Sequence, residues 1–150
     1  MTELFLAFVT ILTTFIKGDD KPVALVYCLI SHVAYFCSYI LPAGVMFHFM
    51  ASCEALLVIM LVCFRGCSFS KLTDLLIPAS LFSVLIDVYG WNLYLTESSL
   101  ENFNNAIIAY YALIILIFIY AVARHDSVHS GASRFLRDNR NYSLLLGEAR

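Results

Sequence analysis

Long apolar stretches broken by short polar punctuation set the organisation of this chain. Leu4 to Ile16 is apolar and stops at Lys17-Gly18-Asp19-Asp20-Lys21. Pro22 opens a second apolar stretch, as a first-turn proline does, and Pro42-Ala43-Gly44 reads as a tight turn. Further stretches cover 45–64, 72–93 and 106–123, separated by polar segments at 65–71 and 96–105. Four of these runs reach the ~20 residues that a helix needs to cross a bilayer. The first does not. As a helix, Leu4 to Ile16 extends about 20 Å, short of a ~30 Å hydrocarbon core. It spans only if Met1 to Glu3 join it or the bilayer thins, and otherwise it lies in the interface. Ala7, Thr10 and Thr14 share one face, which is expected to pack on a neighbour.

The expected fold is therefore all-α: a polytopic transmembrane helical bundle of four or five spans (3–16, 22–41, 45–64, 72–93, 106–123) with short loops. Residues 1–123 form the membrane domain and 124–150 a basic tail. Composition agrees. Of the 150 residues, 61% are hydrophobic and only 13% charged, about half the charge of a soluble domain. Met1-Thr2-Glu3 lacks the positive start of a secretory signal, so the first segment reads as part of the mature protein.

The placement of charge gives an orientation. Every Lys and Arg lies at 17–21, at 65–71 or in the tail. Alternating spans put all three on one side. The positive-inside rule makes that side cytoplasmic, C-terminus included, in a cell (inner) membrane. Tyr89, Trp91 and Tyr94 mark the opposite water boundary. With no basic stripe outside the tail, nucleic acid is not an expected partner; the lipid bilayer, copies of the chain or a larger membrane complex are.

Ionisable residues inside a membrane face protein or water. His32 and Glu54 are equidistant from Ala43, roughly 16 Å deep on the two arms of a hairpin. They are expected to pair near the midplane, sharing a proton as a neutral couple or acting as interhelical glue. Ala51 and Ala55 flank Glu54 and permit close helix approach. The same mirror through Ser68 places His48 near Asp87, nearer the outer side. Pro78 should kink the fourth span and free the carbonyl of Asp74, itself a solvated first-turn acid. Cys28, His32, Tyr35 and Tyr39 form a stripe expected to face protein. In the tail, Arg134, Arg137 and Arg140 recur at threes and suit head groups or a cytoplasmic partner.

Catalytic signatures are absent: there is no H-E-x-x-H, G-x-S-x-G or phosphate loop. Cys28, Cys37, Cys53, Cys63 and Cys67 fit neither a zinc cluster nor a disulfide framework and read as small apolar residues. His32 and His48 differ too much in depth to bridge a haem within one chain, so no cofactor and no resident metal is expected. Short length, several spans and a charged tail resemble the plan of viral holins and other small phage-encoded membrane proteins. The polar midplane residues and small-residue helix faces point to a non-enzymatic oligomer that conducts ions or protons or makes a holin-like lesion. A structural or accessory subunit of a membrane complex or virion membrane, and a small cation or metal transporter using His48 and Asp87, are the alternatives.

Overall fold

A computed structural model describes residues 2–67 and 70–147, with side chains for 2–42, 44–66 and 70–124. The described chain is helical throughout: α1 (Thr2–Phe15), α2 (Asp20–Ser38), α3 (Ala43–Cys67), α4 (Lys71–Leu95) and α5 (Glu101–Gly147). Four helices are long and apolar enough to cross a membrane, namely α2 (Asp20–Ser38), α3 (Gly44–Gly66), α4 and the first part of α5 (Glu101–Arg124). The protein is a membrane-spanning helical bundle.

Its surface is inverted relative to a soluble bundle. Leu29, Phe36, Ile59, Leu85 and Leu116 are each more than half exposed, whereas Thr73, Ser80, Ser83 and Asp87 are buried. With lipid as solvent, apolar side chains lose nothing by facing out, while polar ones are costly there unless they turn inward.

α1 packs on the bundle. It runs antiparallel to α2, with contacts that step along both. Tyr35 donates to Glu3 Oε1 at 2.9 Å, and Thr10 Oγ1 stands 3.4 Å from Cys28 Sγ and 3.5 Å from His32 Nε2. Of the Cys28–His32–Tyr35–Tyr39 stripe, the first three therefore meet α1, whereas Tyr39 is largely exposed. The face α1 buries is Phe5, Leu6, Val9 and Thr13. The expected face of Ala7, Thr10 and Thr14 is instead exposed. Bulky apolar side chains fill the groove between α2 and α5, and Thr10 sits at its edge.

α3 and α4 share the most extensive interface. Ser70 caps α4, its Oγ accepting from Thr73 N at 3.3 Å. The Ser70 hydroxyl also donates to Asp20 Oδ1 at 2.6 Å. Asp20 further accepts from Leu72 N at 3.3 Å and lies 3.9 Å from Arg124 Nη1. One buried carboxylate thus joins the starts of α2 and α4 to the end of the α5 span. Charges at 17–21, 65–71 and Arg124 gather at this end of the bundle. At the other end α4 closes with Glu97 in a left-handed conformation (φ 53°). There Ser98 N bonds to Leu93 O at 3.0 Å and Glu97 N to Tyr94 O at 3.3 Å. This double bond pattern is the Schellman closure of a helix.

Helix α4 runs unbroken through Pro78. Asp74, in its first turn, is half-exposed and pairs with Arg65 Nε at 2.9 Å. Helix α5 starts at Glu101, earlier than the expected 106, and continues past the span. The side chains of Arg134, Arg137 and Arg140 lie outside the described residues.

Candidate intramembrane acidic cavity

A partly open cavity of about 280 Å³ lies within the bundle and is lined by all five helices. It runs from Thr2, Ser38 and Asn104, near the end that carries Glu3, Glu97 and Glu101, down to Tyr27, Ser83 and Tyr110 at mid-depth. Helical spacing explains which residues reach it. On α2 they include Tyr27, Ser31, Ala34 and Ser38, with Tyr35 beside them; on α3, Met46, Met50 and Glu54, with Phe47 beside them; on α4, Ser83 and Asp87. Each set recurs at three or four residues, one face of a 3.6-residue helix.

Glu54 and Asp87 therefore enter the same cavity from adjacent helices. Asp87 is 4% exposed and Glu54 is partly exposed. Two of their oxygens, Glu54 Oε2 and Asp87 Oδ2, are buried and make no hydrogen bond. The hydroxyls of Ser80, Ser83 and Tyr110 border the Glu54 carboxyl, but at Oε2 and at Ser80 Oγ the geometry is too poor for a bond. Tyr110 instead meets Tyr27, hydroxyl to hydroxyl at 3.0 Å. Among the described residues, no Lys, Arg or His lines the cavity. Buried polar groups in native proteins are nearly always satisfied, and two carboxylates in hydrocarbon without a counter-charge are costly. The arrangement asks for a positive species or hydrogen-bond donors in the cavity.

Aromatic rings close its sides. Phe5 stacks on Tyr111 with centroids 4.2 Å apart, and Phe47 meets Phe103 edge-on at 5.5 Å. Phe47 and Phe103 can approach because Gly90 lies beneath them. A Cβ there would come within 2.5 Å of Phe103 and 2.7 Å of Phe47. Below the carboxylates the core is apolar: Leu57, Leu61, Leu76, Ile114 and Phe118 are fully buried. That layer separates the cavity from the charged end.

The expected pairs do not form. His32 donates from Nδ1 to the Cys28 carbonyl at 2.7 Å and turns Nε2 toward Thr10, away from Glu54. His48 is exposed and packs its ring on Trp91, centroids 4.3 Å apart, one turn beyond Asp87. Equal depth was the right argument for neither, because depth leaves rotation about the helix axis open. His32 follows Ser31 by one residue, about 100° around α2. What the structure joins is one member of each expected pair. Among the described residues, no group of three His, Cys, Asp or Glu is placed to hold a metal ion.

Compared with known proteins, the chain matches no family model, no curated protein and no solved structure.

Proposed function

We infer that this is a non-enzymatic multi-pass membrane protein that binds and moves a cation, with Glu54 and Asp87 as its intramembrane ligands. The observation that carries the reading is that Glu54 and Asp87, each with a buried oxygen lacking a hydrogen-bond partner, line one cavity that has no basic side chain among its described residues. A carboxylate pair is retained inside a bilayer, at a cost of several kcal/mol of solvation, where a positive charge is to be held there. Tyr27, Tyr110, Ser80 and Ser83 supply hydroxyls that can hand a proton or a hydrogen bond to the carboxylates.

The cavity lies inside one chain, so binding needs no second subunit. Its apolar floor favours a carrier with one-sided access over a permanently open pore, and so over a holin-like lesion. Clustering of Lys17, Lys21, Arg65, Lys71 and Arg124 at the floor side makes that side cytoplasmic by the positive-inside rule. The cavity then faces outward and the C-terminus lies in the cytoplasm of a cell membrane.

The test is membrane potential in bacteria expressing the chain alone, with inorganic cations and a primary organic amine supplied in turn. The wild type should dissipate the potential, and a Glu54→Gln/Asp87→Asn double variant at equal membrane level should not. A wild type without effect at verified expression, or a double variant as active as the wild type, would overturn the reading in favour of a structural subunit.

A further inference from the structure

Resting on the cation reading, the chemistry of the cavity walls narrows the kind of cation. A proton or bare metal ion needs none of the 280 Å³ available, and an apolar cavity of about 150 Å³ already accommodates benzene. A dehydrated metal ion also needs several oxygen or nitrogen ligands, and among the described residues no group of three His, Cys, Asp or Glu side chains is placed to supply them. The walls above the carboxylates are instead ring faces and edges: Phe5, Tyr111, Phe47 and Phe103. Aromatic rings next to carboxylates suit a cation that carries its own apolar body, through cation–π attraction and burial of hydrocarbon. The acidic residues refine this further. Glu54 and Asp87 both line the cavity. An ammonium group with N–H bonds can donate to a carboxylate, which a quaternary ammonium cannot.

We propose that the cavity binds a protonated organic amine of one-ring size, its ammonium between Glu54 and Asp87 and its apolar body against the Phe5–Tyr111 and Phe47–Phe103 walls. Asp87, almost fully buried and lining the cavity, is the anchor of the charge. Occupants enter from the side of Thr2, Ser38 and Asn104, because the apolar layer of Leu57, Leu61 and Leu76 closes the other.

The test uses the full-length protein in lipid nanodiscs, titrated calorimetrically with 2-phenylethylamine and with its neutral counterpart 2-phenylethanol. The amine should bind, the alcohol should bind at least tenfold more weakly, and excess sodium should not displace the amine. Glu54→Gln and Asp87→Asn should each weaken amine binding at least tenfold. Tyr111→Leu, which keeps both carboxylates, should weaken it about threefold to tenfold through loss of a ring face. Equal binding of amine and alcohol, displacement by sodium, or an amine affinity untouched by the carboxylate variants would each overturn the proposal. The comparison of amine with alcohol on the wild type stands even if a variant fails to fold. Absence of amine binding together with a potential still dissipated through Glu54 and Asp87 would refute the amine and leave the cation reading intact. Absence of both would remove both.

Discussion

Ser70 donates its hydroxyl to Asp20 Oδ1 at 2.6 Å, which ties the start of α4 to the start of α2 across the charged end of the bundle. The carboxylate is 5% exposed and also accepts from Leu72 N, so removing it strands two buried donors beside Arg124. Asp20→Ala should therefore destabilise the bundle by about 2–3 kcal/mol, the cost of leaving such groups unsatisfied. Asp20→Asn keeps an acceptor oxygen and should lose less. Reversible unfolding in mixed detergent–SDS micelles, followed by helical circular dichroism, checks the order wild type, Asn, Ala. Equal stability of the Ala variant would mean that water, not Asp20, serves these donors.

Gly90 is required by its neighbours rather than by its backbone. A methyl group there meets the rings of both Phe103 and Phe47 below 3 Å; those rings pack on each other, and Phe47 also packs on Trp91 and Tyr94. Gly90→Ala is expected to cost about 1–3 kcal/mol, the usual range for overpacking, despite the better helix propensity of alanine. Adding Phe103→Leu should recover part of the loss. A melting temperature unchanged in Gly90→Ala would place the rings elsewhere.

Glu97 holds a left-handed conformation at the end of α4 that costs an L residue roughly 1–2 kcal/mol and glycine almost nothing. Glycine also loses more entropy on folding. Glu97→Gly should thus raise stability by up to about 1 kcal/mol with no effect on the cavity. Lowered stability in the same micelle assay would show that the Glu97 side chain contributes more than its strain.

The spans were legible because lipid leaves apolar runs uninterrupted: Leu4 to Ile16, the Pro42 turn and the polar segment after Leu95 all appear where helices start and stop. Ends moved by a few residues, with α3 carrying Arg65 inside the helix and α5 starting at Glu101. The acidic cavity was half legible. Glu54 and Asp87 stood out as ionisable residues in the membrane, but pairing by depth assigned each to a histidine. Rotation was the missing coordinate, and one signal for it is present in the chain. Ser80, Ser83, Asp87 and Gly90 recur at helical spacing along α4 as its only small and polar stripe, which in lipid must face protein. The mirror through Ser68 sets Glu54 opposite residue 82, beside Ser83. Asp20 was hidden for a different reason: within Asp19-Asp20-Lys21 nothing separates a solvated loop charge from an anchor of α4.

His32 provides the control that separates geometry from composition. It is the histidine nearest Glu54 in depth, yet its ring bonds to the Cys28 carbonyl and faces α1. A cation path through Glu54 and Asp87 does not include it. His32→Ala should leave dissipation of the membrane potential at the wild-type level, whereas Glu54→Gln alone should reduce it at least tenfold. Its effect on stability should be modest, about 1 kcal/mol for one partly buried hydrogen bond. Equal loss of activity in both variants, at matched membrane levels, would join His32 functionally to Glu54. The α1–α2 contact would then have to open during transport to bring the ring into the cavity.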